Sequence, residues 1–264
     1  MEGIADYRFV EQLGSGSYGT TYRAVRPARL PVSAEHVAVK VLNRRATAEE
    51  FQSIADELKL VATIRSEHLL PIYEVGLADD LLYFSMAHCP EGSLQRSGRE
   101  GRPARRVADA ARGAHALHEA GVVHRNITPS NILVLEGRGR LSDIGLAHLQ
   151  APGMSSTGVG SVESVEFVDP ALLLGTRASR HTDIWSLGLI LHRAVTGVSA
   201  YGGISGHDTV GALRELLRAR PIVSDTLDDG YRSIIESCIA EDPDARFATA
   251  EELAEAIDVV AGPS

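Results

Sequence analysis

Residues 7–45 alternate apolar and polar positions in short runs that predict strands. RFVEQLG and TTYRAV flank a glycine-rich turn, and a proline-containing hairpin leads into the apolar run HVAVKVL. The period then changes. Across 47–65, Phe51, Ile54, Leu58, Val61 and Ile64 recur near helical spacing, and Thr47 with Glu50 three residues on fits a capping box. LLPIYEVG and LLYFSMA predict two further strands joined by a turn at Asp79–Asp80. From Pro90 onward helical patterns dominate, at about 103–120, 181–196, 207–219, 229–239 and 249–261. Short strands near 131–142 and a polar stretch at 150–166 interrupt them. A β-rich front with one helix and a helical back predict an α+β architecture of two lobes. The first spans about 1–87, the hinge 87–90 and the second about 90–264.

Composition narrows the function classes. The 44% hydrophobic content can build a sizeable core, and the net charge of −9 argues against a nucleic-acid or anionic-membrane surface as the main partner. No stretch approaches the length of a membrane span, and MEGIADYRFVEQLG lacks the charged start and apolar run of a signal peptide. Two cysteines, Cys89 and Cys238, are too few for a disulfide framework. A reducing, cytoplasmic setting is expected. The ending AIDVVAGPS is linker-like and fits the front part of a longer protein. Only two of the 26 Lys and Arg residues are lysines, Lys40 and Lys59, so a lysine at a meaningful spacing carries weight.

Three motifs carry chemistry. Gly14, Gly16 and Gly19 form a GxGxxG, which alone is no more than a glycine-rich hairpin. A strand follows it rather than a helix, so its backbone N–H groups would approach phosphates from a strand–turn–strand. Next, Lys40 ends the apolar run VAVK. A buried lysine is costly unless paired, and Glu57 on the predicted helix is the candidate partner. Last, His124-Arg-Asn-Ile-Thr-Pro-Ser-Asn131 is followed by Asp143-Ile-Gly145. Asn131 and Asp143 bound a short hairpin and can present two oxygens to a Mg²⁺ that bridges phosphates.

In this order the motifs resemble the protein kinase family over nearly the whole chain. DIWSLG at 183–188 resembles the family helix whose aspartate anchors the catalytic loop, and DPDARFATAEEL at 242–253 carries Arg246 in the structural-arginine position. The arginine-rich, lysine-poor background and these late motifs look more like bacterial serine/threonine kinases than small-molecule kinases. The resemblance implies a bilobal kinase-like fold with ATP and Mg²⁺ as cofactors. It places Thr21, Ala38 and Leu133 against the nucleotide, Met86 behind the adenine, and Ala87, His88 and Cys89 in the hinge. Val61, His124 and Ile144 would stack in the spine of an assembled kinase.

The chain also departs from the family pattern. Asn126 stands where the family's catalytic aspartate belongs, and Thr128 where a lysine contacts the γ-phosphate. A neutral amide can orient a hydroxyl but is a poor proton acceptor. The family's A-P-E reads Asp169-Pro170-Ala171, so the glutamate expected to pair with Arg246 is missing, and Asp169 and Glu166 are the replacement candidates. A weakened anchor and a mobile or inactive segment from about 152 to 165 are expected. Arg125 would suit a phosphorylated segment, with Ser155, Ser156, Thr157, Ser161 and Ser164 as acceptors. The leading expectation is a nucleotide-binding pseudokinase that signals through protein partners. The alternative is a weakly active serine/threonine kinase. A purely structural interaction domain is disfavoured by the retained Lys40, Glu57, Asn131 and Asp143.

Overall fold

The computed structural model describes residues 1–16, 19–45, 52, 55, 59, 61–97, 100–144, 162–204 and 208–262. It divides into two compact units. One comprises 1–64 and 70–90, the other 65–69 and 91–264.

The first unit is built on an antiparallel sheet of β1 (Gly3–Ile4), β2 (Tyr7–Gly16), β3 (Gly19–Val25), β4 (His36–Arg45), β5 (Ile72–Ala78) and β6 (Leu81–Ala87), ordered β1-β2-β3-β4-β6-β5. Period-two alternation decides its faces. Val37, Val39 and Val41 of β4 join Ile4, Tyr7, Ala24, Leu30 and Tyr83 in one buried cluster. Ala38 and Lys40, one step out of phase, belong to the other face. Asp79 and Asp80 make the β5–β6 turn with φ of 51° and 61°. Those values suit a two-residue hairpin of the primed type, which short aspartate side chains tolerate. Within the helix predicted over 47–65, Gln52, Ala55, Lys59 and 61–63 are helical, whereas Ile64 and Arg65 are not. Its proposed cap, Thr47 and Glu50, lies outside the described residues.

Arg29 closes this sheet on one side. It donates to Asp6 at 2.7 Å and to Glu74 at 2.5 Å, while Glu74 also accepts from the Tyr7 and Tyr83 hydroxyls at 3.0 and 3.1 Å. Five polar groups, sequence-distant, satisfy one another there.

The second unit is mainly helical. Its long helices are Pro103–Glu119 and Arg180–Thr196, accompanied by Thr209–Leu216, Asp229–Cys238 and Ala250–Ala261. Pro103 opens the first, where its missing N–H costs nothing. Val107, Ala108, Ala110, Ala111, Ala114 and Leu117 are buried along it. Gly197 ends Arg180–Thr196 in the left-handed conformation, and its N–H donates to Arg193 O at 2.8 Å. The hairpin β7 (Ile132–Leu135) and β8 (Arg138–Leu141) follows the pattern expected near 131–142. Val162–Val165 forms a helical turn, and Val165 packs with Val168, Leu172, Ala212 and Leu216. Among the described residues no helix is long and apolar enough to cross a membrane.

Candidate active site

In the first unit, sheet register gathers the glycines with Lys40. Gly16 pairs with Gly19, Gly14 with Thr21, and Thr21 with Lys40. Ala38 lies opposite Met86, and Lys40 opposite Phe84. Directly paired residues share a face, as do positions two apart. Thr21, Ala38, Lys40 and Met86 therefore sit on the face opposite the valine cluster. A Cβ at Gly19 would collide with the backbone of Val41, whereas at Gly14 and Gly16 it would meet open space. Gly19 thus serves the close approach of β3 and β4, and Gly14 and Gly16 leave room for a ligand to reach the backbone. Asn43 Nδ2 donates to Gly16 O at 3.2 Å and steadies the end of β2.

Lys40 is buried at 7% exposure. Glu57, its expected partner, lies outside the described residues. At the end of β6, the Ala87 N–H donates to Pro71 O at 3.1 Å and is already used. Cys89 is half-buried. Burial, reinforced by the charges of Arg23 and His36, pushes the His88 imidazole below its ordinary value and keeps it neutral at pH 7.

In the second unit the catalytic-loop residues are fixed by a buried carboxylate. Asp183 lies in the first turn of Arg180–Thr196, where the helix dipole favours negative charge. Its Oδ2 accepts from His124 N at 2.9 Å and lies 2.8 Å from His118 Nε2, and its Oδ1 accepts from Arg125 N at 2.9 Å. His124 extends the scaffold. Its Nε2 donates to Ser142 O at 2.9 Å, which leaves Nδ1 to accept from Asn126 N at 3.3 Å. One fully buried imidazole thereby ties the residue before Asp143 to the backbone of Asn126.

Asn131 completes the arrangement. Its Nδ2 donates to Asn126 O at 2.9 Å, leaving Oδ1 as that side chain's acceptor. Its own carbonyl accepts from Ser142 N at 2.9 Å and Ser142 Oγ at 3.0 Å. Arg125 and Asp143 hold φ of 67° and 61°. A non-glycine residue in that region costs about 1 kcal/mol or more and persists where surrounding bonds over-determine it. An amide oxygen and a carboxylate on segments joined in this way suit a hard cation such as Mg²⁺, so the donor set fits the expected metal. Thr128 is buried, with Oγ1 2.8 Å from Ser130 Oγ. It brings a hydroxyl and no charge to the position expected to meet the γ-phosphate. Leu133 lies on β7, opposite Arg140 and bridged to Ser93.

The expected weakening around Arg246 is corrected by the structure. Arg246 Nη1 donates to Asp169 Oδ2 at 2.5 Å and to His181 O at 2.9 Å, its Nε donates to Ala240 O at 2.9 Å, and its guanidinium lies 4.8 Å from the Trp185 ring centroid. Asp169 caps Pro170–Leu173 as well, accepting from Ala171 N at 3.0 Å through Oδ1. One carboxylate two residues upstream of Ala171 supplies the missing charge. The other candidate, Glu166, pairs with Arg193 instead. Residues 145–161 lie outside the described residues, as do four of the five proposed phosphate acceptors; Ser164 lies in the Val162–Val165 turn.

Residues 7–256 match the family model described as the protein kinase domain. The chain belongs to the protein kinase family. It is 31% identical to the serine/threonine-protein kinase PkaA of Streptomyces coelicolor, over 97% of this chain and 50% of that protein. It is 27% identical to the probable serine/threonine-protein kinase PkwA of Thermomonospora curvata, over 96% of this chain and 34% of the relative. The chain therefore spans about a third to a half of those curated relatives. The fold is that of the PknI kinase domain of Mycobacterium tuberculosis, with a TM-score of 0.73, 99% coverage of both chains and 22% identity.

His118 and Ser142 were missed by motif reasoning. His118 could have been found from its place on the buried face of Pro103–Glu119, six residues before His124. Ser142 carries no distinguishing signal, because its role is set by its main chain.

Proposed function

We propose that this chain is a Mg-ATP-binding serine/threonine protein kinase domain whose chemical step is slow. The carrying observation is the bonded catalytic loop. Asp183, His124 and Asn131 fix the backbone on both sides of Asn126, so the scaffold is assembled around a residue of altered chemistry. The relatives described as serine/threonine-protein kinases favour this reading over the pseudokinase expected from Asn126 alone. The retained anchor on Arg246 favours it too.

In this reading Gly14 and Gly16 offer backbone N–H groups to the phosphates, and Lys40 adds a positive charge. Ala38, Met86 and Leu133 form apolar contacts with the base. The hinge contact from Ala87 falls to its carbonyl, since its N–H is bonded to Pro71. Asn131 and Asp143 would hold Mg²⁺, which when bound would supply charge neutralisation at the phosphates. Asn126 accepts a hydrogen bond from the substrate hydroxyl and orients it, and the hydroxyl proton passes to water or to an oxygen of the transferred phosphoryl group instead of to a carboxylate. A general base is worth ~10²–10⁴-fold, while positioning and charge neutralisation carry the larger share of phosphoryl transfer. Loss of the aspartate therefore slows the reaction without abolishing it.

The pseudokinase reading keeps one specific support. Thr128 removes the γ-phosphate lysine as well, and the two losses act on the same transition state. The domain would then signal in the cytoplasm by nucleotide-dependent shape and contact with a protein partner. Transfer of labelled phosphate to a generic Ser/Thr protein, compared with the Asp143→Ala variant, separates the readings. Transfer above that control supports the slow kinase. Mg-ATP binding with no transfer supports the pseudokinase.

A further inference from the structure

A cavity of about 680 Å³ opens on the second unit, away from the catalytic loop's hydrogen-bonded scaffold. Trp185, Ala171, Leu174, Leu217 and Val223 contribute its apolar lining. Two features make it unusual. Ala171 is short where the family pattern has a glutamate, so the wall beside it is open. The charge that glutamate would have met is neutralised elsewhere, because Arg246 is bonded to Asp169 and two carbonyls at 1% side-chain exposure. A cavity with a neutral floor and an indole in its wall is suited to an apolar insert.

The rim selects the occupant. Leu174 and Ile222 stand 77% and 75% exposed at or beside the opening, and Leu217 is 45% exposed. Arg218, Arg220, Glu236 and Glu241 line the same opening, with Arg220 paired to Glu241, so this patch carries both signs in a chain of net charge −9. Two like-charged molecules repel over most of their surfaces and can meet only where each presents both signs. The Arg220–Glu241 pair is 82% and 76% exposed, held weakly by solvent-screened attraction, and free to exchange partners. A twofold contact requires a self-complementary patch, in which cavity and protruding side chain, cation and anion, occur together on one surface.

We infer that this face docks a second copy of the same chain, with Leu174 and Ile222 of each copy filling the other's cavity and Arg218 and Arg220 meeting the other's Glu236 and Glu241. The inference does not depend on whether the chain transfers phosphate.

Sedimentation of the 264-residue chain, from about 1 to about 200 µM, tests it. The expected result is a mass rising from one chain toward two with concentration. Because Leu174 and Ile222 are exposed, Leu174→Asp and Ile222→Asp leave the fold intact, which an unchanged melting temperature verifies. Each should weaken self-association at least about tenfold, the worth of burying a leucine-sized side chain. Arg218→Glu should also weaken it, and the self-association of the unaltered chain should weaken with added salt. A single-chain mass up to the highest concentration overturns the inference. So does a dimer that is indifferent to all three substitutions, since it must then use another face.

Discussion

Two buried carboxylates in the second unit do comparable work and have different histories. Asp183 stands where the kinase family keeps an aspartate, and three groups of the catalytic-loop region converge on it. Asp169 stands where the family has the alanine of A-P-E, yet it takes the charge of Arg246 that a glutamate two residues later would take. The first anchor is preserved and the second rebuilt, and both remain satisfied. At Asn126 and Thr128, by contrast, no charged side chain among the described residues bonds to either side chain. The difference separates support from chemistry in this chain. Groups that hold the backbone match the family pattern or have a substitute, while the two positions proposed to act on the substrate do not match it.

The largest effect is expected at Asp183. Asp183→Ala strands two buried N–H donors and His118, and should destabilise by about 3–5 kcal/mol in denaturant unfolding. Asp169→Ala should follow at about 3 kcal/mol, because Arg246 would remain buried with only carbonyls to accept from it. Adding Ala171→Glu in that background should return part of the loss. If Asp169→Ala costs under about 1 kcal/mol, the rebuilt anchor is not one, and the contrast with Asp183 fails.

Mg-ATP binding sharpens the same contrast from the side of the chemistry. At 100-fold excess over Kd, the nucleotide should stabilise the protein by roughly 2.7 kcal/mol, read as a rise of several degrees in Tm. Lys40→Ala and Asp143→Ala should reduce that rise, and Asn126→Asp should leave it in place. An unchanged Tm at millimolar Mg-ATP would remove the nucleotide site.

A smaller effect is expected with pH. Burial raises the Asp109 carboxyl, but the His68 imidazole 3.4 Å away, the hydrogen bond from the Gly139 N–H and the Arg138 charge outweigh it and hold the group below its ordinary value. A carboxylate lowered in the folded state contributes stability above its ordinary range and loses it as pH falls through that range toward the folded value. Asp109→Asn should therefore flatten the acid limb of the stability curve below about pH 4. An identical acid limb in the variant would show that this group adds nothing there.

Much of this architecture was legible because it rests on local periodicity. The apolar run HVAVKVL marked β4, and the helical period at about 181–196 marked the helix Arg180–Thr196. What was not legible depends on distance in sequence. Asp169 and Arg246 lie 77 residues apart, and the sequence left Asp169 and Glu166 open as partners; the choice of Asp169 follows from the packing of Trp185 and His181 around the guanidinium. The Val162–Val165 and Pro170–Leu173 turns are too short to show a period. At the site, the motif residues were readable, while the bonds that fix them run through main-chain atoms of His124, Asn126 and Ser142 that side-chain identity does not report.

On the proposed function, the catalytic loop of the second unit is bonded in place and short of one proton acceptor. The most direct test is single-turnover phosphoryl transfer by the unaltered chain, Asn126→Asp and Asp143→Ala. The account predicts slow transfer by the unaltered chain, none by Asp143→Ala, and a gain of up to ~10²–10⁴-fold from Asn126→Asp. The gain should be incomplete, because Thr128 still leaves the γ-phosphate without its cation. Turnover at the 1–100 s⁻¹ typical of kinases without any substitution would contradict it. So would an Asn126→Asp protein that binds Mg-ATP and transfers no faster.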